Sequence, residues 1–382
     1  MQIKDITNIL ESWAPPSLQE SYDNSGLLVG NHKQEITKAL ISLDVTEEVM
    51  QEAIDNQCQL VIAHHPVIFG NLKRLNGSNM TERMVMMAIK NDIALYAIHT
   101  NLDNVYSGVN AKICEQIGIK NPKILESKKG LLRKLVTFCP DTLMENGKPT
   151  HHMVLEALWE VGAGNIGNYD QCSFYSDGKG TFRPKDGTNP FIGAHGELSV
   201  TNEVRIELIF PVYRQKEIIE RLLEVHPYEE VAYDVYALEN ALQNTGSGMI
   251  GELEQEMDEM EFLLHLKKVM QTNCVRHSPL SPSPLLQERP GEAKKVKRVA
   301  VCGGSGSFLL KNAIAKGADV FVTADYKYHQ FFDAEGKIVI ADIGHYESEQ
   351  FTIGLIFDKL IEKMPNFALL KSRVNTNPVN YI

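Results

Sequence analysis

The chain has 382 residues, enough for two or three domains and a sizeable core. Its 43% apolar and 23% charged residues are those of a globular protein, and no stretch approaches the roughly 18 apolar residues of a membrane span. A formal net charge of -11 argues against a nucleic-acid partner, the opening MQIKDITNILESWAPPSLQE lacks the order of a signal peptide, and six scattered cysteines without CxxC spacing fit reduced thiols in a cytoplasmic protein.

SYDNSGLLVG (21–30) reads as a turn leading into an apolar strand, with substrate contact as the alternative. TKALISLDVT (37–46) reads as a strand, and TEEVMQEAIDNQ as a helix with Thr46 as its N-cap and acidic residues in its first turn. QLVIAHH and IALYAIH are short apolar strands, each followed by a helix, TERMVMMAIKND and VNAKICEQIG. Strands separated by helices imply crossovers and a largely parallel sheet.

From about 131 to 247 the pattern changes. LLRKLVTFCP, VRIELIFPVY and VAYDVYAL read as strands, and HHMVLEALWEVGA and RQKEIIERLLEVHP as helices. The turn-rich stretch SDGKGTFRPKDGTNPFIGAHGE reads as an exposed loop. The order is close to the ferredoxin-like sequence of strand, helix, strand, strand, helix, strand. The proline-rich HSPLSPSPLLQERPGEAKK (277–295) is expected to lack regular structure. Alternation then resumes with strands at VKRVAVCGG, DVFVTAD and KIVIADI and helices at FLLKNAIAKG and ESEQFTIGLIFDKLIEKM, before LKSRVNTNPVNYI supplies an edge strand. The reading is an α/β protein of two similar lobes, 1–130 and 248–382, with a ferredoxin-like α+β domain inserted at 131–247.

The chemistry gathers at strand ends. In parallel sheets, ligands collect beyond the carboxyl ends of the strands. His64 and His65 stand there, as do His99 with Asp103, Asp325, and His345 with Glu349. If a helix begins near His345, residues four apart share its face. Imidazoles mixed with carboxylates suit zinc, iron, manganese, cobalt or nickel better than calcium or magnesium. Each signal alone also has a structural reading; three of them at strand ends favour a metal site. Elsewhere structural readings are preferred: a helix end for HPYEE (226–230), capping or exposure for His151 and His152. VCGGSGS (301–307) is read equally as an anion-holding helix start and as a tight turn. Tyr326, Tyr328 and His329 line a pocket or pack.

The ordered motifs YDNSGLLVG, LISLDVT, VIAHHPVIF, YAIHTNLDN, CGGSGS, TADYKYH and IGHYESE resemble the Nif-three-like family, also labelled GTP cyclohydrolase 1 type 2 homologues. The insert, with its HPYEE, resembles the extra domain of the longer bacterial members, similar to the PII and CutA folds. This resemblance implies a dinuclear metal centre between the lobes, with two divalent ions held by His64, His65, Asp103, His345 and Glu349 and with His99 beside them. It also implies a toroidal hexamer capped by the inserted domains. Two function classes follow. One is a metal-dependent hydrolase of a nucleotide or phosphoester-like small molecule, or of GTP under the inherited label, with His99 or Tyr326 giving acid–base help. The other is a non-catalytic metal-binding regulator or ring-forming interaction protein with a metabolite-sensing insert.

Overall fold

The computed structural model describes residues 1–279 and 295–382, so the proline-rich stretch expected to be irregular lies, from 280 to 294, outside the described residues. The chain forms two compact units, Met1–Glu126 with Asn244–Ile382, and Ser127–Gln243. Among the described residues no helix is long and apolar enough to cross a membrane.

The first unit holds two sheets. One has the strand order Gly26–Val29, Ala94–Ala97, Leu60–Ala63, Lys38–Ser42, Ala368–Lys371. All neighbours run parallel except Gly26–Val29, which is antiparallel to Ala94–Ala97. Leu60–Ala63 and Ala94–Ala97 are buried along their whole length, which is why their sequences are unbroken apolar runs. Helices Glu47–Asp55 and Met80–Lys90 cover this sheet, with Val49, Met50, Met84 and Ala88 packing on Leu40, Val61 and Leu95. Their starts are fixed by side-chain caps: the Thr46 hydroxyl accepts from Val49 N, and the Asn79 carbonyl from Glu82 N.

The other sheet has the order Arg276–His277, Val339–Asp342, Val320–Ala324, Lys295–Ser305, Leu242–Asp258, Ile119–Lys128. Its three middle strands from 295 to 342 are parallel, and those at 276 and 242 join them antiparallel. Each sheet therefore takes a strand from the other end of the chain. The closing segment supplies an edge strand, Ala368–Lys371, beside Lys38–Ser42.

Three differences from the sequence reading have physical causes. Leu242–Asp258, for which the sequence reading names no element, is a strand. A Cβ on Gly251 would lie 2.5 Å from Ile119 Cγ2, and one on Gly248 2.8 Å from Val301 O, so these glycines admit close neighbours. Ile119–Lys128 is an edge strand with a mixed, mostly polar surface, and carries no clean alternation. The single helix expected from Glu347 to Met364 is two, His345–Glu349 and Thr352–Lys363.

The second unit is one antiparallel sheet in the order Phe174–Phe182, Ser199–Pro211, Leu132–Pro140, Tyr233–Leu238. Val204, Ile206, Leu208 and Phe210 alternate inward along the long strand. Helices Thr150–Glu160 and Gln215–Val225 close the core, with Val154, Leu158, Ile218 and Leu222 against that face. Phe174–Phe182 overlaps the stretch read as a loop. It is an exposed edge strand, and Gly178 and Gly180 erase its pattern; a Cβ at Gly180 would strike the Glu203 carboxylate.

Candidate metal centre

Sheet register builds the first half of the site. Ser42, Ala63 and Ala97 are paired across three parallel strands. Two residues beyond each stand Asp44, His65 and His99, brought to one rim by a common level. The ladder carries on past the strands: His64 N donates to Ser42 O, His65 N to Leu43 O, and Ile98 N to Ala63 O. In the second sheet Thr323 pairs with Asp342, and the chain beyond them supplies Asp325 and His345. Asp325 adopts φ +59°, a left-handed conformation in which Asp is tolerated better than most residues. Glu349 lies one turn after His345 on the short helix His345–Glu349.

The imidazoles share one design. His64 Nδ1 donates to Ile98 O at 2.8 Å, His65 Nδ1 to Asp44 at 2.7 Å, His99 Nδ1 to Asp23 at 2.7 Å and His345 Nδ1 to Asp325 at 2.7 Å. A carbonyl or carboxylate can only accept, so each Nδ1 carries a proton and each neutral ring turns an Nε2 lone pair toward its neighbours. Those Nε2 atoms converge. His65 Nε2 lies 2.9 Å from Glu349 Oε2 and 3.4 Å from His345 Nε2, which is 3.2 Å from the same Oε2. His64 Nε2 is 3.7 Å from Asp103 Oδ1 and 3.8 Å from Glu349 Oε2. Both His64 Nε2 and Asp103 Oδ1 are buried without a hydrogen-bond partner.

Lone pairs and carboxylate oxygens facing one another repel unless something positive stands between them. Protons alone do so at the cost of large shifts. Burial pulls His65 down, but its bonds to Asp44 and Glu349 prevail and push it up to about 10. His345, against the same cost of burial, is pushed up to about 11 by Glu349 and Asp325. Burial drives His64 the other way, down to about 3. Burial and the Glu349 charge raise Asp103 well above the usual carboxylate range, while His345 and His65 hold Glu349 well below it in spite of burial. A divalent cation would resolve the same repulsion and would satisfy the two orphaned atoms as well. Three overlapping groups have ligand atoms within 4.8 Å of one another: His64, His65 and His99; His65, His345 and Glu349; His64, Asp103 and Glu349. All five expected ligands and His99 are thus neighbours.

A cavity of about 700 Å³ opens over this cluster and is lined by His65, His99, Asp103, His345 and Glu349 among others. Tyr326 is not among its lining residues: it is 2% exposed, packs against Phe331, and its hydroxyl has no hydrogen-bond partner. Residues that sequence reasoning did not assign include Asp44, Asp23 and Asp325 as the anchors of His65, His99 and His345. The signal was present for Asp44, which stands within LISLDVT two residues past the strand Lys38–Ser42, at the same level as His65 and His99. The glycine-rich turn has a packing role. Gly303 N donates to Asn110 and Gly304 N to Ser348, and a Cβ on Gly304 would lie 2.5 Å from Glu349 Oε1. His226 donates from Nε2 to Phe138 O and accepts at Nδ1 from Tyr228 N, as a helix-end residue would. His151 and His152 form no metal-like group among the described residues.

A family model described as Duf34/NIF3 (NGG1p interacting factor 3) matches residues 1–378. A protein of Halalkalibacterium halodurans named GTP cyclohydrolase 1 type 2 homolog is 37% identical over 382 residues, covering 99% of this chain and 98% of its own. One of Bacillus subtilis with the same name is 36% identical over 385 residues, at 99% and 98% coverage. The crystal structure of a Bacillus cereus protein related to NIF3 superposes with a TM-score of 0.83 at 36% identity, covering 100% of this chain and 99% of its own.

Proposed function

Because the chain belongs to the Duf34/NIF3 family, we propose that its centre holds two divalent metal ions and hydrolyses a nucleotide or phosphoester-like small molecule. The observation that carries this reading is the convergence of Nδ1-anchored imidazoles on two buried, unpartnered ligand atoms, His64 Nε2 and Asp103 Oδ1, beside Glu349. His64, Asp103, His65, His345 and Glu349 would hold the ions. Ions held there would supply Lewis acidity and a more acidic water. The protein's own part is to fix the ligands. Asp44, Asp325 and the Ile98 carbonyl set tautomer and ring orientation, as outer partners of metal-binding histidines do. His99, anchored by Asp23 and facing the cavity, is placed to exchange a proton with substrate at Nε2. Tyr326, buried away from the cavity, has no part in this scheme.

The fold is read in the same terms. Residues 131–247 are a ferredoxin-like domain inserted between lobes 1–130 and 248–382; the order of its strands and helices supports this. A toroidal hexamer is the assembly expected of the family resemblance.

The test is turnover. Protein loaded in turn with zinc, manganese, iron, cobalt and nickel is incubated with a panel of nucleotides and phosphoesters. Hydrolysis that His65→Ala abolishes is the expected result. No turnover by any metal form, or turnover unaffected by His65→Ala, would reject the hydrolase and leave a metal-binding regulator.

A further inference from the structure

We infer that the cavity over the metal centre recognises the planar heteroaromatic ring of its substrate, with no more than one phosphoester group reaching the metals, and that it does not recognise polyphosphates. The inference rests on the reading of this cavity as a substrate site and narrows the substrate class.

Charge is the first argument. Besides Asp103 and Glu349, the lining includes Glu20, Asp44, Asp325, Asp342 and Glu347. Among the described residues, Arg276 is the one lysine or arginine of the lining. That guanidinium is already committed: it lies 3.2 Å from Asp342 and donates to Tyr326 O at 2.7 Å. Two divalent ions would still leave the lining net negative, so a nucleoside triphosphate would be repelled by the walls beyond the metals. Two backbone amides that could hold an anion are also taken. In the glycine-rich turn, the amides of Gly303 and Gly304 are spent on Asn110 Oδ1 and Ser348 Oγ.

Aromatic surface is the second argument. Tyr22, Phe69 and Phe308 line the cavity and are 68%, 56% and 61% exposed. Exposed rings around an acidic cavity offer stacking faces to a flat ring, and the carboxylates accept from its N–H groups. The same chemistry penalises phosphate oxygens, which can only accept.

The experiment compares one ring with and without phosphate. Guanosine, guanosine triphosphate and inorganic tripolyphosphate are titrated calorimetrically into the zinc-loaded full-length protein, with excess magnesium to limit chelation and with zinc content measured afterwards. Guanosine is expected to bind at least about tenfold more tightly than the triphosphate, and tripolyphosphate not to compete. Phe308→Ala and Tyr22→Ala each weaken guanosine by about tenfold at unchanged zinc content, and Glu347→Gln narrows the gap by improving triphosphate binding. Tighter binding of either polyphosphate, or no guanosine binding by protein that keeps its zinc, overturns the inference. Guanosine binding without turnover of any panel compound would leave it standing while the hydrolase reading falls.

Discussion

The dipeptide His-His occurs in both units, and only one copy belongs to a convergent cluster. His64–His65 follows a fully buried parallel strand; His151–His152 opens the helix Thr150–Glu160. The rings of each pair are close, with centroids 5.0 Å apart in the first and 4.6 Å in the second. What differs is what the nitrogens meet. His64 and His65 have Nδ1 tied to Ile98 O and Asp44, and their Nε2 atoms face Asp103, Glu349 and His345. His151 Nδ1 is buried without a partner, and the ring packs against Tyr175. Adjacency in sequence is therefore a weak signal. An acceptor behind each ring and carboxylates in front of it are what make a histidine pair a candidate for ligation.

The sharpest way to break this contrast is to delete one ring of each pair. His65→Ala should weaken zinc binding by at least about 100-fold, more than the loss of an outer partner usually costs. His151→Ala and His152→Ala should leave it unchanged. Elemental analysis after exhaustive dialysis, followed by competition with a chromophoric chelator, measures both. Equal losses from the two pairs would mean that the anchors described above do not matter.

A smaller effect tests the anchors themselves. Asp325→Asn and Asp44→Asn keep the size of the side chain and remove its charge, leaving His345 and His65 without a carboxylate behind Nδ1. Zinc affinity should fall by about 10- to 100-fold in each, with every proposed ligand still present. Thr376 donates to the other oxygen of Asp44, at 2.5 Å. Thr376→Val should therefore give a weaker version of the Asp44→Asn result. Affinities within error of the unsubstituted protein would remove the anchors from the account.

How much of this was visible in the sequence follows the same division. The histidines and carboxylates of the cluster were legible because a parallel strand announces itself as a short apolar run, and the residues after it stand at the rim where ligands collect. Their convergence was not legible. It depends on register, which pairs Ser42 with Ala63 and Ala63 with Ala97, and on a second sheet whose strands come from the far end of the chain. Asp44 and Asp325 were therefore visible as strand-end residues but not as partners of particular rings. Tyr326 follows Asp325 directly, yet in the fold its ring turns into the core while the aspartate bonds His345. Glycines mask strands in both units. At Gly251 and Gly180 they mark places where a neighbour comes too close for a Cβ, inside strands rather than between them.

The smallest effect concerns the second unit, where a histidine is structural. His226 lies at the end of helix Gln215–Val225 with both nitrogens occupied: Nε2–H donates to Phe138 O at 3.1 Å, and Nδ1 accepts from Tyr228 N at 3.1 Å. A second proton would have to sit on Nδ1, facing the Tyr228 amide hydrogen. Burial lowers its pKa below the ordinary 6.5, against the pull of the Phe138 carbonyl. The unfolded chain thus takes up this proton at a higher pH than the folded one. The neutral ring's contribution is complete above 6.5 and is lost as pH falls through the lower, folded value. His226→Gln should lower the melting temperature at pH 7.5, because the ring's packing is lost, yet flatten the decline between pH 7.5 and 5. Thermal unfolding of the full chain at both pH values, compared with His152→Gln as an exposed control, reads this directly. An undiminished pH dependence in His226→Gln would assign the acid sensitivity to groups elsewhere, and the division between a ligand histidine and a packing histidine would lose its second half.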